Sequence, residues 1–176
     1  TAHDRRHGPA LAVLHVIHGG GGTETQARAL IEATRGTLRH ALATVTGDTW
    51  RIEEHRSDGS TKLCEFARRD HEPLADFLKM LCANYGAGVI HLHNISGSRE
   101  PLQDAMPRLG IPYGYTVHDL NFACPTVTLT RADGYFCGGV TDAAACTSCL
   151  AEQRLGAVDI ARWRDRHAML LAGASF

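Results

Sequence analysis

Four glycines in a row, Gly19, Gly20, Gly21 and Gly22, stand between an apolar run that stops at His18 and a helical pattern that opens with Thr23. Bare main chain at such a junction leaves N–H groups and the positive end of a helix open to an anion, whose approach side chains would block. A turn alone needs only one glycine, so the run favours a ligand-facing loop over a flexible connection. Two further polar groups follow apolar runs: His91, His93 and Asn94, and the pair His118-Asp119. In an open α/β sheet these positions lie beyond the carboxyl ends of strands, where ligands bind. His118 and Asp119 have the makings of a catalytic or substrate-orienting pair, although histidines also serve packing at strand ends. His91 and His93 alternate along one strand and so share a face, and either is equally readable as a hydrogen-bonded core residue. Cys124, Cys137, Cys146 and Cys149 form C-x12-C-x8-C-x2-C in a loop with glycine, proline and few apolar residues. Burial can scarcely order such a loop, so the thiols have three readings: one tetrahedral zinc, two disulfides in an oxidising compartment, or free thiols. Cys64, in a strand pattern, and Cys82, on an apolar helix face, read as core residues.

Other chemistries lack their residues. The glycine run is neither G-x-G-x-x-G nor a Walker motif, since no Lys-Ser/Thr follows, and no acid is placed to hold a ribose. There is no G-x-S-x-G elbow and no glycosidase-like carboxylate pair. The 18 Lys and Arg are scattered and the net charge is −1, which argues against a nucleic-acid partner. No stretch approaches the roughly 18 uncharged apolar residues of a membrane span. The apolar run over 9–17 follows Arg5, Arg6 and His7 but has no small-residue cleavage site after it, so it does not read as a secretory signal. These features point to a cytoplasmic protein without a transmembrane segment.

The elements that must position these residues follow from periodicity. With 176 residues and 44% hydrophobic content, a single domain, 1–176, with a full core is expected. Continuous apolarity over 10–17 predicts a central strand covered on both faces, and Thr23-Glu24-Thr25-Gln26 reads as a capping box for a helix over 24–35. Short strands are expected over 41–45 and 62–67, with a polar surface loop from Asp48 to Ser60 between them. Leu74, Phe77, Leu78, Leu81 and Cys82 give the clearest helix, with Pro73 in its first turn and Gly86 past its end. A strand over 88–92, a helix through Leu102, Ala105, Met106 and Leu109 that Pro107 kinks and Gly110 stops, and a strand over 112–117 continue the alternation. After a cysteine-bearing loop at about 119–150, Ile160, Trp163, His167, Leu170 and Leu171 mark a last helix with Arg162, Arg164, Asp165 and Arg166 on its polar face. The pattern predicts an α/β fold with a doubly wound parallel sheet. The chain begins without Met and ends just past a helical pattern, which suggests a piece of something longer.

The ordered stretches HVIHGGGGTETQARAL, VIHLHNISG, GIPYGYTVHDLNFACP and CTSCL together resemble the N-terminal half of retaining glycosyltransferases with the GT-B fold, of the GT4 type, in the subset with a cysteine-bearing loop. The resemblance covers residues 11 to about 171. It implies a Rossmann-like acceptor-side domain that partners a C-terminal GT-B domain of the parent chain, the two closing on a nucleotide-sugar donor and a carbohydrate or lipid-linked acceptor. Gly20, Gly21 and Gly22, with Gly19, Thr23, His93 and Asn94, would line the donor and acceptor cleft. His118 would sit near the reacting sugar, with Asp119 orienting that site. Such enzymes need no metal for the chemistry, so zinc on the four cysteines would be structural. The parent would work in the cytoplasm, peripheral to the inner membrane face, and this half alone would be inactive. Two other functions stay open on the residues: a stand-alone phosphate- or nucleotide-binding α/β module, and a zinc-dependent hydrolase using His91, His93 and His118.

Overall fold

The computed structural model describes residues 11–56, 58–93, 96 and 98–176. Two compact units are formed, one by the residues up to Thr116 together with Ala174–Phe176, the other by Val117–Gly173.

The first unit is built on a sheet whose centre is β1 (Ala12–His18), with six of its seven residues buried, as continuous apolarity requires. Helix α1 (Gly21–Thr34) and strand β2 (Arg39–Thr46) follow, then β3 (Thr49–His55), β4 (Thr61–Ala67), α2 (Leu74–Tyr85), β5 (Ala87–Leu92), the single turn α3 (Leu102–Ala105) and β6 (Tyr113–Tyr115). Among the described residues these six strands form one sheet in the order β4-β3-β2-β1-β5-β6. β2, β1, β5 and β6 run parallel, whereas β3 and β4 are antiparallel additions at one edge. The fold is α/β and mostly parallel, so the expected all-parallel sheet is corrected to a mixed one.

That correction has a local cause. The segment read as a polar loop contains β3, in which Trp50 and Ile52 are fully buried between Arg51 and Glu53. Gly47, at φ 62°, makes the tight turn from β2 that lets β3 fold straight back. Cross-strand pairs such as Glu54 with Lys62 and Arg51 with Glu65 give the outer hairpin a charged surface suited to a sheet edge. Cys64 sits on this edge strand, half-buried, and is not a core residue as expected; Cys82 is buried.

The two faces of the sheet follow from the period of two along each strand. Ile17 and Leu42 face α1 and form a buried cluster with its Ala27 and Ile31. On the opposite face Trp50 meets Phe77 of α2, ring centroids 5.4 Å apart. The predicted α2 is present with Gly86 at its end, φ 64°. The expected kink at Pro107 takes the form of a switch from α to 3-10 geometry over Met106–Arg108.

The second unit holds α4 (Ala143–Glu152) and α5 (Ile160–Gly173). The long loop expected over 119–150 therefore ends in a helix. Asp142 caps it, its Oδ1 accepting from the Ala145 N–H at 2.7 Å, so Cys146 and Cys149 lie one turn apart on α4. On α5, Ile160, His167 and Leu170 are buried, while Leu171, expected inward, is 37% exposed.

Candidate functional site

The glycine run closes the carboxyl end of β1. Gly20 takes φ 92° and ψ 164°, a backbone region open essentially only to glycine, and Gly21 takes φ 73°. All four glycines are exposed, and a Cβ placed on Gly20, Gly21 or Gly22 would meet nothing within 4 Å. The expected Thr23–Gln26 capping box does not form. Helix α1 starts three residues earlier than predicted, at Gly21, and no side chain caps it at Gly20. Instead the Gly20 N–H donates to Glu24 Oε2 at 2.8 Å, so the helix end already holds an anion, supplied by its own first turn. That N–H, together with Arg28, keeps the Glu24 carboxyl below the ordinary range. Arg28 bonds Glu24 through Nε at 2.9 Å and grips Glu53 of β3 in a two-pronged pair at 2.8 Å, which holds its own pKa above the usual value. Thr23 is half-buried. Asn94 lies outside the described residues.

A second constellation lies under α1, on the face that also carries Ile17. His15 of β1 pairs in register with His91 of β5, and Val13 with His40 of β2. His91 and His93 share a face, as alternation required, and His15 joins them. His15 Nδ1 is 3.0 Å from His93 Nε2, and His15 Nε2 is 3.0 Å from His40 Nδ1. His40 Nε2 lies 3.1 Å from Thr34 Oγ1 at the end of α1. His91 Nε2 bonds Thr116 Oγ1 at 2.8 Å.

These distances constrain the proton positions. Thr34 has one hydroxyl hydrogen, and it goes to the Leu30 carbonyl at 2.7 Å. His40 must then donate from Nε2; with all rings neutral it accepts at Nδ1, His15 donates from Nε2 and accepts at Nδ1, and His93 donates from Nε2. With neutral rings the chain runs His93→His15→His40→Thr34→Leu30, and burial disfavours the single imidazolium that could also satisfy these contacts. Burial, reinforced by His93, His91 and His40 around it, pushes the His15 pKa down to about 2, and burial lowers His40 as well.

No protein-family model, no curated protein and no solved structure matches this chain.

The second unit carries the remaining expected residues. His118 and Asp119 are half-buried there, and Asp119 Oδ1 accepts from the Asn121 N–H at 2.8 Å. They do not directly end a strand as predicted, because β6 stops at Tyr115. Cys124, Cys137, Cys146 and Cys149 all line one cavity of about 170 Å³, and all six cysteines of the chain are free thiols. Three of the four sulfurs receive a hydrogen bond: Cys124 from Thr126, Cys146 from Arg164 and Cys149 from Gln153, each at 3.3 Å. Arg164, read from the sequence as part of a solvated helix face, also donates to the carbonyls of Ala123, Val140 and Thr141 and so ties α5 to the cysteine segment. Among the described residues, however, the group of three potential metal ligands within 4.8 Å of one another is His15, His91 and His93. The thiols face a common space without reaching ligating separations.

Among the described residues no helix is long and apolar enough to cross a membrane.

Sequence reasoning missed His15 and His40 because each lies inside an apolar strand, where a lone histidine reads as core. The signal was available in principle: His15, His40, His91 and His93 are all strand residues or one step beyond, but only the sheet register brings them together.

Proposed function

We propose that this chain is the acceptor-side half of a two-domain retaining glycosyltransferase of the GT-B type, acting on a nucleotide-sugar donor and a carbohydrate or lipid-linked acceptor. The observation that carries the reading is the junction of β1 and α1: exposed glycines, open space above Gly20, Gly21 and Gly22, and a helix N-terminus that already binds a carboxylate oxygen at the Gly20 N–H. A donor diphosphate presents the same kind of oxygen and would compete with Glu24 for that place. In this reading His118 faces the reacting sugar, Asp119 orients it, and His93 and Asn94 belong to the acceptor side. A zinc held by the four cysteines, if the thiols close in, has a structural role and no part in transfer. The C-terminal domain of the parent supplies the rest of the cleft, so the isolated half lacks the positioning that transfer needs. The parent works on the cytoplasmic side of the membrane, at its periphery.

Calorimetric titration separates this reading from a stand-alone nucleotide-binding module. The half-domain should bind nucleoside diphosphates and their sugar conjugates no tighter than millimolar. Micromolar binding without any second domain would refute it in favour of the module.

A further inference from the structure

We propose that His15, His91 and His93 form a binding site for a zinc-class divalent ion, in which His93 serves the metal rather than the acceptor side of the cleft. One ring nitrogen from each of the three imidazoles lies within 4.8 Å of those of the other two. The 3.0 Å between His15 Nδ1 and His93 Nε2 is close to the roughly 3.3 Å edge of a tetrahedron with Zn–N bonds of about 2.0–2.1 Å. Small outward movements of two rings would admit the ion. The scaffold is stiff: His15 and His91 are paired residues of adjacent parallel strands, and His93, whose N–H bonds the Val16 carbonyl at 3.0 Å, is fixed to the same strand one step on.

The surroundings supply part of what a histidine-bound metal requires. A ligating imidazole ordinarily donates its other N–H to an outer partner that fixes its tautomer. His15 does so from Nε2 to His40, which in turn donates to Thr34. Metal loading then needs one change of tautomer, the His93 proton moving from Nε2 to Nδ1, with no change of net charge on the rings. Three nitrogen donors leave a position open, and a cavity of about 380 Å³ touches His15 and His91. Its other walls are mainly apolar, among them Leu11, Val13, Leu30, Leu38, Val89 and Phe176, so a fourth ligand would be a water or small anion admitted through that cavity. All-imidazole donors suit zinc, cobalt, nickel and copper, and offer none of the oxygens that magnesium and calcium need or the thiolates of iron–sulfur and copper(I) sites.

The test uses the full chain, purified without a polyhistidine tag, with zinc(II) followed by calorimetry and cobalt(II) by visible absorption. One equivalent should bind, with cobalt giving weak d–d bands and no sulfur-to-metal charge transfer. The ion should be retained when Cys146→Ser and Cys149→Ser are combined. His91→Ala, at a half-buried position, should weaken binding more than about 100-fold, beyond the 10–100-fold expected for the outer-partner variant His40→Gln. Metal lost with the cysteines, unchanged affinity in a folded His91→Ala chain, or a thiolate charge-transfer band would each overturn the proposal. Should His91→Ala not fold, the cobalt spectrum of the unaltered chain decides alone.

Discussion

Acidification should unfold the metal-free chain through its buried histidines. A histidine in the unfolded chain has a pKa near 6.5, whereas that of His15 in the folded chain is about 2. The folded state thus refuses a proton that the unfolded state accepts below pH 6.5. The contribution of His15 to stability is complete above the unfolded value and falls by about 1.4 kcal/mol for each pH unit from there down towards pH 2. Between pH 7 and pH 5 this amounts to about 2 kcal/mol from His15 alone, and the size does not depend on the folded pKa so long as that lies well below 5. His40 and His55, also lowered by burial, add to it with the same sign. Glu24 and Glu53 do not contribute in this window: their lowered pKa values support stability that is lost only below about pH 4.5. Urea midpoints taken from pH 7.5 to 4.5 at constant ionic strength give the slope, and the imidazole resonances of His15 give the residue. With a urea slope of about 2 kcal/mol/M, the midpoint should fall by about 1 M between pH 7 and 5. A fall equivalent to less than about 1 kcal/mol, or a His15 resonance titrating between pH 6 and 7, would refute the neutral chain of rings.

Other perturbations test the remaining parts. Gly20→Ala should cost about 1–3 kcal/mol by thermal unfolding through backbone strain alone, since nothing lies within 4 Å of the added methyl; an unchanged melting temperature would remove the claim that φ 92° is required there. Leu81→Ala, at a fully buried position on α2, should cost about 2–5 kcal/mol in denaturant titration, against less than about 0.5 for a change at exposed Lys79. Gly114→Ala would place a methyl on the Phe176 ring and should displace the 174–176 tail, seen as faster exchange of the Tyr115 amide that now bonds the Phe176 carbonyl. Glu24→Gln should strengthen the binding of inorganic pyrophosphate to the glycine loop, measured by calorimetry, because it removes the competing charge at the Gly20 N–H; weaker binding would mean that Glu24 helps to hold the ligand.

Legibility in the sequence tracked how local each signal was. β1 and α2 were plain because their apolar patterns are long and uninterrupted. β3 was not: only Trp50 and Ile52 mark its buried face, and the charges around them imitate a loop. The start of α1 is concealed because Thr23 and Gln26 satisfy a capping pattern, while the actual start depends on the positive-φ backbone that Gly20 and Gly21 permit and Glu24 completes. Asp142 ahead of three alanines is a legible cap, obscured by the glycines and cysteines that dominate that stretch. The histidine trio was the least local of all. His15 and His91 are 76 positions apart in the sequence, and their contact exists only because β5 adds beside β1 in a parallel register that no neighbouring residue announces.

Helix α1 ties the glycine loop and the histidine trio to one another. Its first turn supplies the carboxylate at Gly20, its middle packs Ala27 and Ile31 on Ile17 and Leu42, and its last turn supplies the hydroxyl of Thr34 to His40. Mechanical connection is not the same as communication. A ligand shifts another site only by favouring one of two arrangements of what lies between them, and α1 is held at both ends and along its buried face in one packing. Metal on the trio should therefore raise the stability of the first unit by mass action while leaving the affinity of the glycine loop for an anion where it was. If metal did change that affinity, the helix would need a second seating on the sheet, and the place to look for it is the end joined to His40, where the hold is one hydrogen bond rather than a packed core.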